Sequence, residues 1–295
     1  MTLGFDNIRY RAWYDLYEEN TNPSTGGHGD YTLYNDHAID GFGFNLKLGT
    51  IVRPIEDNPF RIAFTLETPT WYHLKSSTYY QLTDEVEKVK SDMPESYLEY
   101  SLRTPLKVRL GIGSTVSNFL AWDVDYEYAL YNKTKMGYPN DAINTPQSSI
   151  FSNTWDDDMN LQTENNMKGT HNVRAGVEYK PTSNWAIRLG YNYATSAYKN
   201  NVTFDQYALN SYAMNYATTT SYMRLGDVNC LTLGLGYRWK HAYIDLGYKL
   251  INQKGDFYAF YAPSDATIGH SPNELTPVGV DLTKQQVTAT FGVRF

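Results

Sequence analysis

Residues 287–295, Val287-Thr288-Ala289-Thr290-Phe291-Gly292-Val293-Arg294-Phe295, alternate apolar and polar without a break. A period of two sends Val287, Ala289, Phe291, Val293 and Phe295 to one face of a β-strand. Thr288, Thr290, Gly292 and Arg294 go to the other. The same period runs back through the chain. Trp185, Ile187, Leu189, Tyr191 and Tyr193 oppose Ala186, Arg188, Gly190, Asn192 and Ala194. Leu231, Leu233, Leu235, Tyr237 and Trp239 oppose Thr232, Gly234, Gly236 and Arg238, and Ile244, Leu246, Tyr248 and Leu250 oppose Tyr243, Asp245, Gly247 and Lys249. Further upstream, Phe42 to Leu48, Leu106 to Ile112, Leu120 to Tyr128 and Val173 to Tyr179 repeat the pattern.

About ten strands follow, over 3–18, 39–54, 59–82, 95–114, 117–134, 168–181, 184–199, 227–240, 241–261 and 283–295. Their connections alternate in length. Those near 55–58, 115–116, 182–183 and 240–241 are short and carry turn chemistry such as Glu56-Asp57-Asn58-Pro59. Those over 19–38, 83–94, 135–167, 200–226 and 262–282 are long. Short turns on one side and long loops on the other are the mark of an antiparallel transmembrane β-barrel of the outer-membrane type. Phe295 then falls on the short-turn side, where the carboxy-terminal residues Phe291, Val293 and Phe295 would serve as the signal to the barrel-assembly machinery.

Composition agrees with that class. Aromatic residues make up 15% of the chain and tyrosine alone occurs 27 times, favouring strands and membrane interfaces. Mean hydropathy is −0.53. No apolar run reaches the roughly 18 residues of a transmembrane helix, a condition that barrel strands need not meet. The net charge of −7 argues against nucleic acid as a partner. A soluble β-sandwich would show similar alternation. Trp185, Trp239, Tyr179, Tyr193 and Tyr248 near strand ends, and Gly, Arg, Lys, Asp and Glu on the opposite face, favour a girdled barrel with a wet or plugged lumen. The localisation that follows is the outer membrane of a Gram-negative bacterium, with outer-membrane lipid and lipopolysaccharide as surroundings.

The polar face repeats glycine at 43, 49, 111, 113, 176, 190, 234, 236, 247 and 292. Either another backbone approaches there, as an inserted plug would, or glycine eases the curvature of a tilted sheet. Arg61, Glu67, Arg109, Asp123, Asp125, Glu127, Arg174, Glu178, Arg188, Arg238, Asp245 and Arg294 share that face. Charges of both signs fit a salt-bridged support lattice better than an ion-selective constriction.

Several stretches resemble a known family. His171-Asn-Val-Arg-Ala-Gly-Val-Glu-Tyr-Lys-Pro181 with Asn184-Trp-Ala-Ile-Arg-Leu-Gly-Tyr191 is similar to a hairpin of the FadL/TodX outer-membrane transporters. Gly41 to Gly49 with Arg53-Pro54, Arg61 to Tyr72 and Arg103 to Gly111 resemble other strands of that family, so the resemblance covers about residues 40–295. It implies a barrel of about fourteen strands with an amino-terminal hatch. It also implies passive transport of hydrophobic small molecules, long-chain fatty acids or aromatic hydrocarbons, without a cofactor. Met1-Thr2-Leu3-Gly4-Phe5 lacks the basic and apolar regions of a signal peptide. The expectation is therefore one β-barrel domain over 1–295, amino-terminally truncated, with hatch and first strands missing. No ligand-contact residue transfers. The alternatives are a structural or adhesive surface barrel, or a general porin.

Catalysis is not expected, because His28, His37, His73, His171, His241 and His270 are scattered and pair with no nucleophile by spacing. The lone Cys230 excludes an internal disulfide and a thiolate metal site. Asp156-Asp157-Asp158 could hold Ca²⁺ or face solvent as an acidic loop. Tyr207, Tyr212, Tyr216 and Tyr222 could mark a short amphipathic helix offering an aromatic surface, or simple loop packing.

Overall fold

A computed structural model describes residues 1–19, 29–139, 153–200, 202, 211–216, 221–259 and 276–293. Among these residues fifteen strands form one antiparallel sheet. They are β1 (Thr2–Glu18), β2 (Tyr31–Val52), β3 (Arg61–Glu67), β4 (Trp71–Asp84), β5 (Lys90–Asp92), β6 (Ser96–Arg103), β7 (Lys107–Val116) and β8 (Leu120–Ala129). Then come β9 (Lys135–Pro139), β10 (Asn153–Trp155), helix α1 (Asp157–Asn166), β11 (Thr170–Tyr179), β12 (Trp185–Ala194), β13 (Tyr222–Arg238), β14 (Ala242–Tyr258) and β15 (Val278–Val293). End to end, β3 continues into β4, β6 into β7, β8 into β9 and β10 into β11. With the short β5 set aside, the sheet is ten successive runs, each paired to the next in chain order. The expected all-β, antiparallel, outer-membrane type of architecture is therefore present. Among the described residues no register joins β1 to β15, so both are edge strands.

Several strands reach beyond their expected bounds. Residues 31–38, read from sequence as loop, belong to β2; 135–139 and 153–155 are β9 and β10, 222–226 open β13, and 278–282 open β15. The cause lies in composition and length. In 31–38 aromatic and polar residues mix on both faces, and 135–139, 153–155, 222–226 and 278–282 are stretches of three to five residues, too short to show a period of two by themselves.

The larger difference concerns 59–82 and 95–114, which read as single unbroken strands. Each is interrupted, at Thr68-Pro69-Thr70 and at Thr104-Pro105-Leu106. Proline has no N–H for the ladder and is confined to edges and bulges. The neighbouring run breaks beside them, between β8 and β9, at a short 3₁₀ turn over Tyr131–Lys133. Hydrogen bonds stitch the breaks into one line: Thr68 N donates to Leu46 O (2.9 Å), Thr104 N to Thr70 O (3.0 Å) and Leu130 N to Leu106 O (3.1 Å). Threonine hydroxyls complete it, accepting from Leu46 N (3.0 Å, Thr68 Oγ1), Thr70 N (2.8 Å, Thr104 Oγ1) and Asn45 Nδ2 (3.0 Å, Thr70 Oγ1).

Each break inserts an odd step and inverts the pleat. Below the line, Ile62, Phe64 and Leu66 of β3 pair in register with Ile112, Leu110 and Val108 of β7. These in turn pair with Val124, Tyr126 and Tyr128 of β8. Above the line that same face carries Lys75, Ser77 and Tyr79, opposite Glu99 and Tyr97 of β6 for the first two. The apolar side chains there have moved to the other face, where Leu74 and Leu98 are buried.

Candidate functional site: an apolar belt outside, an ion-pair ladder inside

Below the line of breaks the sheet has two chemically distinct faces. One is a continuous apolar belt. From Leu66, Val108 and Tyr128 it runs through Val124 with Ala175 and Trp122 with Val177. It continues through Leu189 with Leu233, Ile187 with Leu235, Leu246 with Ala289 and Ile244 with Phe291. Most of these side chains are exposed: Leu110 51%, Leu189 48%, Leu233 47%, Phe291 68%. An exposed apolar surface of this extent needs a non-aqueous partner.

Its height fits a bilayer core. On β12 the belt runs from Trp185 to Tyr193, within the roughly nine to eleven residues that a tilted barrel strand needs to cross. Aromatic rings border it. At the short-turn margin Trp185 packs on Tyr237, Tyr237 on Trp239, and Phe119 on Tyr179. At the other margin His171 packs on Tyr128 (centroids 5.0 Å) and Trp71 stacks on Phe44 (5.2 Å). Of the expected girdle residues, Trp185, Trp239, Tyr179 and Tyr193 lie near strand ends, whereas Tyr248 stands inside β14 opposite Leu233, in the middle of the belt. The sequence also missed Trp71 and Phe44, because the break at Pro69 hides their shared face. Of the residues expected to guide assembly, Phe291 and Val293 stand on the belt face of β15, and Phe295 lies outside the described residues.

The opposite face carries a ladder of ion pairs. Glu67 receives Lys47 (3.3 Å), Lys107 (3.4 Å) and Arg109 (3.8 Å). Arg109 also bonds Glu127, which receives Arg174 as well (3.4 Å). Farther along, Glu178 is bonded by Lys180 (2.9 Å) and Arg188 (2.6 Å), and Arg188 reaches on to Asp245 (2.6 Å). The expected lattice of both signs is therefore built around Glu67, Glu127 and Arg188. The cations are partly exposed, which keeps each single link modest, while Glu67 and Glu127 are largely buried and each gathers more than one.

Arg188 explains two of the glycines. It belongs to β12 and its partner Asp245 to β14, so the guanidinium crosses the whole of β13. It crosses over Gly234 and Gly236. A Cβ on Gly234 would stand 3.2 Å from Arg188 Cβ, and one on Gly236 would run into the Asp245 carboxylate. Tyrosine rings and hydroxyls use other inner-face glycines in the same way, Tyr72 over Gly43, Thr232 over Gly190 and Tyr243 over Gly292. At these positions the space is taken by side chains of neighbouring strands.

Two charge-lined cavities open on the wall. One of about 290 Å³ lies on the inner face at the short-turn end, among Glu178, Lys180, Arg188, Asp245 and Arg238. Another of about 750 Å³ lies at the far ends of β12 to β15, lined by Lys168, Lys199, Arg224, Asp227, Lys254 and Asp281; there Lys254 and Asp281 share the face of Ile244 and Phe291, beyond the belt. Both are bordered by charge. The apolar side chains that turn inward above the breaks, Leu74 and Leu98, are packed rather than arranged around a cavity.

The acidic run resolves into a structural device. Asp156 caps α1, accepting from Met159 N (2.9 Å). Its other oxygen accepts from Tyr138 (2.5 Å) and Ser211 (2.5 Å). Tyr138, in β9 beyond the belt, is buried against that carboxylate, and burial first, then Asp156, pushes its phenol up to about 12. Asp157 and Asp158 occupy the first turn of α1. Of the tyrosine-rich stretch, Tyr212 and Tyr216 lie in a 3₁₀ turn, Tyr222 opens β13, and Tyr207 lies outside the described residues. No cluster of metal-ligating side chains occurs among the described residues. Of the histidines, His37 meets Thr78 (3.1 Å), which is buried beyond reach of a substrate, and His171 meets Tyr126 (2.7 Å). His28 and His270 lie outside the described residues.

Comparison with known proteins changes two expectations. No family model and no curated protein matches the chain. Among solved structures it is similar to OmpT, an outer membrane protein of Vibrio cholerae. One such structure, folded in vitro, shares 10% identity and another, expressed in the outer membrane, 9%; each covers 99% of this chain and 97% of its own, at a TM-score of 0.32. At that TM-score the likeness adds nothing to the case for fold or function. The resemblance to the FadL/TodX transporters is withdrawn: no family model matches the chain, and the two structures named are of OmpT. The expectation of a non-enzymatic protein, drawn from histidines that pair with no nucleophile by spacing, is withdrawn as well, since the two structures named are of OmpT.

Proposed function

We propose that the chain forms the wall of an outer-membrane β-barrel in a Gram-negative bacterium and that small polar solutes pass along its charge-lined inner face by diffusion. The observation that carries this reading is the division of the wall into an exposed apolar belt and an ion-paired inner face. A belt about one bilayer core in height belongs against lipid. An inner face bearing Glu67, Glu127, Arg188 and Asp245 belongs against water. Paired charges of both signs leave little net field, so passage would discriminate by size more than by ionic sign. The passage of hydrophobic molecules finds less support, since the inward apolar residues Leu74 and Leu98 are packed against their neighbours. Within this reading, Phe291, Val293 and Phe295 are the residues offered to the assembly machinery.

The test is conductance and solute-induced swelling with the full-length protein in lipid vesicles. Ohmic conductance with weak ion selectivity, and uptake of sugars that falls with size, would support the proposal. Insertion without conductance or swelling would refute it in favour of a structural surface barrel. Saturable uptake of apolar compounds without conductance would refute it in favour of hydrophobic transport.

A further inference from the structure

We propose that Arg103 and Lys135 form a binding site for the phosphate of a phosphorylated lipid headgroup in the outer leaflet. The inference rests on the membrane-spanning reading above. Arg103, the last residue of β6, lies directly opposite Lys135, the first of β9, in antiparallel register. Like charges so placed repel and destabilise a sheet. Among the described residues no carboxylate lies within ion-pairing distance of either. Lys135 feels Glu164 at longer range, but that carboxylate is already paired with Lys133. Both cations instead lie over one ring: the Arg103 guanidinium is 5.5 Å and Lys135 Nζ 5.6 Å from the centre of Trp155. The indole fixes the two positive groups together without neutralising them.

Their position supplies the occupant. Arg103 pairs with Trp71, and Trp71 pairs with and stacks on Phe44, whose alternate neighbours Phe42, Leu46 and Leu48 share its face. The pair therefore points to the lipid side. It stands just above the row of Leu66, Val108 and Tyr128 that ends the belt there. The breaks at Pro69 and Pro105 make this arrangement, since without the inverted pleat Arg103 would face inward with Arg109. Two uncompensated cations at the upper margin of an apolar belt, flanked by Trp71 and Trp155, match an anionic headgroup whose acyl chains lie along the belt. Guanidinium and ammonium together suit a phosphomonoester, with Arg103 donating in a fork and Lys135 as a point charge.

The test uses the full-length protein in zwitterionic micelles, titrated with a diphosphorylated glucosamine lipid, with its dephosphorylated form, and with inorganic phosphate. The unaltered protein is expected to prefer the phosphorylated lipid by about 30-fold, from about fivefold per surface cation. The double variant Arg103→Gln, Lys135→Gln is expected to bind both lipids alike. Arg103→Gln alone, without lipid, is expected to raise the unfolding temperature, because it relieves the repulsion. Equal affinity of the unaltered protein for the two lipids would overturn the site, as would a preference that survives in the double variant. Inorganic phosphate binding as tightly as the lipid would overturn the lipid as its source. Failure of the unaltered protein to insert into vesicles at all would instead overturn the membrane-spanning reading.

Discussion

Arginine at position 233 should cripple insertion, while arginine at 232 should be tolerated. The two residues are neighbours on β13 and point to opposite faces. Leu233 sits midway along the belt, paired with Leu189 on one side and Tyr248 on the other, and is 47% exposed. Thr232 faces inward over Gly190 and opposite Lys249. An arginine at the lipid midplane of a barrel costs about 2–4 kcal/mol, falling to about 0–1 kcal/mol near the interfaces. In the inner position the new cation has water for a neighbour, and its main cost is repulsion from Lys249, about 0.2–1 kcal/mol for a cross-strand pair. Leu233→Arg should therefore shift the folding equilibrium by roughly 30- to 700-fold, and Thr232→Arg by about fivefold at most. Denaturant-dependent folding into phospholipid vesicles, followed by tryptophan emission and by the heat-dependent gel mobility of folded barrels, measures both on one scale. Equal losses at the two positions would refute the division of the wall into lipid and water faces. A greater loss at Thr232 would mean that the faces are assigned the wrong way round.

Three further outcomes are expected. Gly236→Val should lower the unfolding temperature in detergent well below that of Gly279→Val, because a Cβ at 236 displaces Asp245 and crowds Arg188, whereas one at 279 meets nothing within 4 Å; equal effects would show that Arg188 does not need the glycine path. Glu67→Gln should destabilise by about 1–3 kcal/mol, since it leaves Lys47, Lys107 and Arg109 without their shared carboxylate while only part of each cation is out of water. An unchanged unfolding midpoint in urea would remove Glu67 from the support of the wall. Tyr138 should weaken the fold at alkaline pH. Folding holds its proton up to about 12 against the ordinary value of 10.0, so the unfolded chain releases protons first. Stability is then full below about pH 10 and falls by about 2 kcal/mol as pH climbs towards 12, and Tyr138→Phe should flatten that fall in thermal melts between pH 9 and 11.

The residues that let the strands be read from sequence are those of the belt. Leu231 to Tyr237 and Ile244 to Leu250 alternate because one side meets lipid and the other water, and that contrast is written directly into the residue types. The outer ends are a different case. Residues 31–38 are Tyr-Thr-Leu-Tyr-Asn-Asp-His-Ala, with aromatic and polar side chains on both faces, and nothing in them separates a strand from a loop. Pairing decides it: Tyr31 to Ala38 lie between β1 and β4 and gain a ladder on each edge. The ion pairs of the inner face were legible as a mixture of charge. Their path was not, since Arg188 bonding across an intervening strand to Asp245 depends on a register no single strand contains. Arg103 and Lys135 were further out of reach. One falls in a run that reads as a continuous strand and the other in a long loop, and only the paired breaks bring them to one row.

Those breaks show why one wall needs two phases of the same pattern. Below the line the outer surface meets lipid, and apolar residues must face out: Phe64, Leu110, Val124. Above it the outer surface meets water, and the apolar residues of the same runs, Leu74 and Leu98, must face in. A run whose apolar set keeps one period of two throughout cannot satisfy both solvents, because that set stays on one side; β2, unbroken over Tyr31–Val52, changes residue type instead, its Phe42 and Phe44 giving way to Asp40 and Asp36 on the same face. Pro69 and Pro105 supply the change of phase where it is required, and the hydroxyls of Thr68, Thr70 and Thr104 take up hydrogen bonds along the break. Removing one residue from such a break would restore the period and invert the outer half. Deleting Pro69 would turn Leu74 to water and Lys75 inward among buried neighbours, and the whole of β4 would have to slip to repair it. The prolines are therefore the residues by which this sequence distinguishes the part of the wall that crosses the bilayer from the part that stands above it.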